Sequence, residues 1–288
     1  MGNIERQSLE QRANHEALDR RKTLDPVTNP SVSVLMAEYN TPLEHLEKAL
    51  GALLRQTFSH FEIVLVDDGG CNDLSALVSR LGDPRLRVVG DGVNRGFVAA
   101  LNLGLSVIES DYVVRADTDD WVEDNFLIRL VESAVANPEF SVISARGEEV
   151  SEDMAPIALG TPGEKSAHDV MRGSTPFHPA TIIRREALLE VGGYPDYHRA
   201  EDLALWCELL LAGHRLLVID DILCHYRVER DDYKKRRIIN RRGEIRARLH
   251  YYPMLGAGPV DYLRVLKSII SGLLPSPIVR RIRRWIHS

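Results

Sequence analysis

The stretch "RADTDDW" (residues 115–121) puts Asp117, Asp119 and Asp120 within four positions, directly behind the apolar run "DYVV". A turn needs one Asp, not three. Carboxylates this close raise one another's pKa unless a cation offsets them. Hard divalent ions prefer oxygen ligands, and Mg²⁺ commonly takes one or two carboxylates plus substrate phosphates. A divalent ion joining this loop to a diphosphate accounts for the cluster; a solvated acidic turn is the plain alternative. Two smaller polar groups also follow apolar runs: Glu38, Tyr39 and Asn40 in "AEYN", and Asp67 and Asp68 in "VDDGG". Either alone reads as a turn. Glu201 and Asp202 open the segment "EDLALWCELLLAG". Carboxylates there commonly serve as helix-end groups.

Apolar periodicity supplies the elements that hold these residues. Strands are expected at 31–37, 61–66, 85–90, 111–116 and 140–145. Helices are expected at 42–56, 74–81, 96–108 and 122–136, the first with Pro42 near its start. Strands alternating with helices imply an α/β fold: a Rossmann-like, mostly parallel sheet with helices on both faces. Such sheets bind ligands beyond the carboxyl ends of their strands, where the three polar groups stand. From 146 to about 200 the pattern loosens into loops and short strands. A helix over 203–212, stopped by Gly213, then precedes two strands, "RLLVID" and "ILCHYRV". Three regions follow: a polar extension (1–30), an α/β domain (31–230, divided at 145/146) and a basic helical region (231–288).

Composition narrows the class. The chain has 288 residues, 44% hydrophobic and 27% charged, which is ordinary for a globular protein with a real core. Its three cysteines are unclustered, which argues against a disulfide framework or zinc site and for a reducing compartment. The start lacks a signal peptide's apolar segment, and Arg6 stands where a myristoylation signal needs Ser or Thr. No apolar run reaches the length of a bilayer-spanning helix. The net charge of −6 is unevenly spread: residues 227–288 hold 16 Lys and Arg against 5 Asp and Glu. A basic end on an acidic body fits an anionic surface. Apolar positions 262–274, and a stripe of Ile278, Ile282, Trp285 and Ile286 beside four arginines, read as amphipathic membrane-surface helices. The plain alternative is packing on the body. "KKRR" (234–237) lacks the recognition module or aromatic platform that nucleic-acid binding needs.

Five segments in order give the chain a resemblance to family-2 glycosyltransferases of the GT-A fold, over residues 31–230. "VSVLMAEYNTPLEHLEKALGALLRQTFSHFEIVLVDDGGCND" resembles that family's opening strand, helix and acidic pair. "NRGFVAALNLGLSVIESDYVVRADTDDW" resembles its Asn-x-Gly helix followed by the Asp-X-Asp motif. "FHPATIIRREALLEVGGYPDYHRAEDLALWCELLLAG" resembles its His-Pro, Gly-Gly-Tyr and Glu-Asp segments, and "HYRV" its last strand. The resemblance implies transfer of a sugar, with inversion, from a nucleotide diphosphate sugar of UDP or dTDP type. It places Tyr39 and Asn40 near the base and ribose, Asp67 and Asp68 on base or ribose, and Asn94 and Gly96 over the nucleotide. Asp119 would hold Mg²⁺ or Mn²⁺, Asp117 the metal or ribose, and Asp120 the sugar side. Asp202, with Glu201 second, matches the catalytic base. His225 and Arg227 are candidate diphosphate contacts, and His225 could equally be a core histidine; His178 is a candidate acceptor contact, with a structural role the stronger reading.

Two departures stand out. Glu38 occupies a position where the family carries a small residue or Pro, and Gly70 replaces the usual Ser after the acidic pair. A helix start favours ionised carboxylates at 201 and 202, whereas a nearby diphosphate raises their pKa. The basic end suits a lipid-linked or membrane-associated glycan acceptor at the cytoplasmic face. Among rivals, a phosphoacceptor domain needs a strand-end Lys, and none lies between Lys48 and Lys165. An Asp-X-Asp phosphohydrolase carries its nucleophile after its first strand, whereas Asp117 follows the fourth. A non-catalytic nucleotide-sugar-binding relative would not need an intact Glu201–Asp202 pair.

Overall fold

A computed structural model describes residues 30–151, 154–228, 241–263, 265 and 266. The expectations for 1–29, for "KKRR" and for the tail beyond 266 lie outside the described residues.

The first half follows the predicted alternation. β1 (Val32–Glu38), α1 (Leu43–Leu54), β2 (Phe61–Asp67), α2 (Leu74–Leu81), β3 (Leu86–Val89), α3 (Phe97–Ser106) and β4 (Tyr112–Arg115) appear in order. β3, β2, β1 and β4 lie side by side and parallel. The chain therefore adds β2 and β3 on one side of β1, then returns to add β4 on the other. The crevice at such a reversal is where open α/β sheets bind ligands. The registers Glu38↔Asp67 and Leu35↔Arg115 bring the ends of β1, β2 and β4 to one edge.

The second half is mixed. It runs β5 (Trp121–Val122), α4 (Phe126–Ala136), β6 (Val142–Ser151), β7 (Met154–Leu159), β8 (Gly163–Lys165) and α5 (Ala167–Met171). A 3₁₀ turn (His178–Ala180), β9 (Thr181–Arg184), α6 (Arg185–Glu190), α7 (Glu201–Leu211), β10 (Leu216–Arg227) and α8 (Arg242–Met254) complete it. β9 inserts antiparallel between β4 and β6, and β10 runs parallel to β6. The two strands expected over 215–228 are one strand, irregular between Val218 and Cys224. The helix expected from 122 begins at 126, because Trp121 and Val122 pair with β10 instead.

Two apolar clusters cover the two faces of the sheet. One holds α1, α2 and α4 through Leu46, Leu50, Leu77, Phe126 and Leu130. The other holds α3, α6, α7 and α8 through Leu101, Leu188, Trp206 and Tyr251. Trp206 is fully buried. Emptying a site of that kind costs about 3–5 kcal/mol, so the start of α7 is firmly anchored.

Candidate active site

A cleft of about 1160 Å³ opens along the carboxyl ends of β1, β2 and β4. Tyr39, Asp68, Asn94, Gly96, Asp117, Asp119, Glu201 and Asp202 all line it. Residues separated by more than 160 positions in sequence thus share one space.

Hydrogen bonds between loops set the wall formed by the ends of β1 and β2, the start of α3 and the acidic loop. Asp68 accepts from Arg95 N at 2.7 Å and Gly96 N at 3.1 Å, tying β2 to the start of α3. Thr41 and Thr118 hydroxyls meet at 2.7 Å, tying β1 to the acidic loop. Asn40 adopts a left-handed backbone, φ +57°, and its Oδ1 accepts from Cys71 N at 2.9 Å. Its side chain ties two loops together, while exposed Tyr39 presents its ring to the cleft. Asp67 accepts from Gly69 N at 2.9 Å. It lines an adjoining cavity of about 350 Å³, shared with Asp68, Asp91 and Arg95. Arg95, assigned no contact from sequence, lines both spaces and pairs with Asp91.

The two departures prove to be neighbours. Glu38 is fully buried, and its Oε1 accepts from Thr41 N (3.0 Å) and Asn72 Nδ2 (2.8 Å). A Cβ on Gly70 would lie 2.8 Å from Glu38 Oε2 and 2.8 Å from Asn40 N. The glutamate carboxylate thus fills the space that a serine at 70 would need.

The acidic loop contains three distinct environments. Carboxylate oxygens of Asp117, Asp119 and Asp120 lie within 4.8 Å of one another. Asp120 is buried; its Oδ1 accepts from Arg227 N at 2.9 Å, and its Oδ2 has no hydrogen-bond partner. Burial, then the charges of Asp117 and Asp119, push its carboxyl well above the usual range. An oxygen-only set with an unpaired buried oxygen fits a hard divalent ion such as Mg²⁺ or Mn²⁺. Arg115 lies beneath the loop, 4% exposed, with Nη1 2.5 Å from Asp117 Oδ1.

Glu201 and Asp202 open α7, whose cap residue Ala200 supplies no side-chain bond. Asp202 Oδ1 accepts from Leu203 N at 2.6 Å. Burial, then the Asp202 charge, raises the Glu201 carboxyl to about 7. Burial raises Asp202 as well. Desolvation therefore outweighs the helix dipole at this helix start.

Six expected contacts do not line the cleft: Asn40, Asp67 and Asp120, placed above, and His178, His225 and Arg227. His178 is buried against Tyr194 and Trp206, and burial, then Arg115, lowers its pKa well below the ordinary value. His225 stacks on Trp121, with its ring nitrogens 2.8 Å from Glu148 and Glu123 carboxylates. Arg227 lies over the same Trp121 ring, and its Nε donates to Asp119 O at 3.1 Å. It secures the acidic loop from behind, while its neighbours Tyr226 and Val228 line the cleft.

Sequence reasoning missed Arg115, Tyr194, His198, Arg199 and the start of α8. Arg115 had a signal: a charge closing an apolar strand demands a partner. Arg199, with φ +57°, gave none. α8 and its cap residue contribute Glu244 and Arg241 at the cleft, and α8 packs on α7, where Tyr251 donates to Glu208 at 2.7 Å. A Cβ on Gly243 would collide with His198 O, so glycine there lets α8 press against the loop before Glu201.

A doubly covered α/β sheet with an acidic cleft at its reversal point is the architecture of the GT-A fold. The Glycosyl transferase family 2 model matches residues 33–191, and the chain belongs to that family of enzymes. It is 29% identical to a UDP-Gal:alpha-D-GlcNAc-diphosphoundecaprenol beta-1,3-galactosyltransferase of Escherichia coli, over 86% of this chain and 93% of that one. It is 30% identical to the amylovoran biosynthesis glycosyltransferase AmsE of Erwinia amylovora, over 71% and 79%. Among solved structures it resembles the mannosyltransferase PcManGT of Pyrobaculum calidifontis, in complex with GDP-Man and Mn²⁺. The TM-score is 0.61 at 21% identity, covering 88% of this chain and 73% of that one.

Proposed function

We propose that this glycosyltransferase moves a sugar from a UDP- or dTDP-sugar to a hydroxyl of a lipid-linked or membrane-associated glycan, in a single inverting displacement. The observation that carries the reading is one cleft lined by Asp117 and Asp119 from the β4 loop and by Glu201 and Asp202 from α7. The UDP-Gal donor and diphosphoundecaprenol acceptor of the E. coli relative support the substrate classes. The amylovoran relative supports a place in polysaccharide assembly.

In this mechanism Tyr39 lies near the base and ribose, with Asp67 and Asp68 towards base or ribose. Asn94 and Gly96 cover the nucleotide. Asp119 and Asp117 would hold Mg²⁺ or Mn²⁺, with Asp120 behind them. When bound, the ion supplies neutralisation of the charge growing on the leaving diphosphate. Asp202 takes the acceptor hydroxyl proton as that oxygen bonds to the anomeric carbon. The nucleoside diphosphate leaves with the electrons of the broken C–O bond, and attack from the opposite face inverts the centre. Glu201, raised to about 7, keeps the pair from carrying two full charges at neutral pH. The decisive experiment measures binding of a nucleotide-sugar panel with and without Mn²⁺. Asp119→Ala is expected to weaken metal-dependent binding by about 100-fold or more; binding indifferent to both would overturn the reading.

The same reading puts the enzyme at the inner face of the cytoplasmic membrane, as a peripheral protein. Among the described residues no helix is long and apolar enough to cross a bilayer. Leu249, Met254, Val260, Leu263 and Leu266 are exposed along the basic C-terminal region, which favours contact with anionic lipid. Deleting residues 260–288 should abolish co-sedimentation with phosphatidylglycerol vesicles; undiminished partitioning would refute the placement.

A further inference from the structure

Arg115 ends β4 in the middle of the sheet, opposite Leu35 on β1 and Thr181 on β9. A buried guanidinium is costly unless a well-placed anion compensates it. Its Nε and Nη1 make no hydrogen bond, Nη1 meeting Asp117 as an ion pair, and its guanidinium lies 5.1 Å from the Phe97 ring centroid. The carboxylate it touches is Asp117, at 2.5 Å. Asp117 is also part of the oxygen set that fits a divalent ion. Arg115 thus approaches one of that ion's prospective ligands from inside the protein. Its charge also reaches Asp120, Glu201 and Asp202, favouring their ionised forms.

We propose that Arg115 is a positioning residue, a built-in cation that occupies Asp117 before any metal arrives and makes tight metal binding wait for the donor diphosphate. The inference rests on the reading of this loop as a divalent-ion site. The physical argument is competition. With Asp117 engaged by Arg115, the ion relies on Asp119 and on phosphate oxygens. Metal and nucleotide then bind cooperatively, each tightening the other by the same factor. The resident charge also holds the acidic loop in place in the empty enzyme, where three carboxylates would otherwise repel.

The test is a Mn²⁺ titration followed by electron paramagnetic resonance, without nucleotide and with saturating UDP, on the full chain. Wild type is read first: if Mn²⁺ binds in neither condition, the metal reading fails, and this inference with it. If wild type binds, Arg115→Met and Arg115→Gln should bind Mn²⁺ without nucleotide about fivefold to tenfold more tightly, because removing a buried positive charge favours a second cation nearby. The gain from adding UDP should shrink by a similar factor. A merely structural arginine predicts the reverse, weaker Mn²⁺ binding in step with a lower melting temperature. Arg115→Lys covers the case in which neither neutral variant folds. Its shorter side chain releases Asp117 in part, and Mn²⁺ should bind about twofold more tightly. Unchanged or weaker nucleotide-free binding in every folded variant overturns the proposal.

Discussion

The two walls of the cleft are organised by different forces. On the proposed donor wall, polar side chains bridge loops that follow neighbouring parallel strands. Asn40 reaches Cys71, Glu38 reaches Asn72, Asp68 reaches the start of α3, and Thr41 meets Thr118. The proposed acceptor wall is assembled from a loop, the first turn of α7, the end of β10 and the start of α8. Its carboxylates are held in a desolvated place that raises their pKa. One wall is shaped by hydrogen bonds made in advance; the other stores unfavourable charge close to where the proposed mechanism moves a proton. The contrast suggests a division of labour: rigid recognition of a constant nucleotide, and a reactive edge beside a variable acceptor.

The largest expected effect tests whether the walls work separately. Asp202→Asn should lower turnover by about a thousandfold, within the usual contribution of a general base. UDP affinity measured by calorimetry should stay within about twofold, because the donor wall keeps all of its bridges. A parallel collapse of UDP affinity would mean that the walls form a single unit.

A second test sharpens the claim of stored charge. The Glu201 carboxyl stands at about 7 in the folded protein against 4.5 for the free group. Between those values the native protein keeps a proton that the unfolded chain has released. Stability therefore falls as pH rises from about 4.5 to about 7, and levels off above. The loss attributable to Glu201 is at most about 3 kcal/mol, less for the part of the side chain that solvent reaches. Glu201→Gln should be more stable than wild type at pH 8, by about 2 kcal/mol, and close to it at pH 5. Urea melts at the two pH values read this directly. Equal pH dependence in both proteins would remove Glu201 as the seat of the strain.

The same division explains what was legible from residues alone. β1, β2 and β4 were readable because each is a largely apolar run buried on both faces, and β3, more exposed, followed from the alternation. The polar groups at their ends announced the donor wall and, with Glu201–Asp202, most of the candidate site. The acceptor wall depends on long-range events without a local pattern. β9 pairs antiparallel between distant strands, Trp121 is drawn into a bridge with His225, and α8 docks through Tyr251 on α7. His178 and His225 looked like ligand contacts because a histidine's chemistry is visible in sequence while its burial is not. Arg115 was readable in principle, yet its role depends on Asp117 folding back over it.

The smallest expected effect lies on the donor wall, where Glu38 and Gly70 behave as one substitution made in two places. Gly70→Ser alone should cost about 1–3 kcal/mol, since its Cβ would press on a buried carboxylate and on a backbone nitrogen. Glu38→Thr alone loses bonds to Thr41 N and Asn72 and should also destabilise, because a fully buried carboxylate secures that loop. The double variant removes the carboxylate that the serine would meet. Its destabilisation should fall short of the sum by about 1 kcal/mol, the signature of contacting residues in a double-mutant cycle. Full recovery is not expected, because Asn40 N lies as close to the new Cβ as Glu38 does. Strict additivity in thermal melts would show that the carboxylate yields freely, and that the pre-made order of the donor wall is looser than its hydrogen bonds imply.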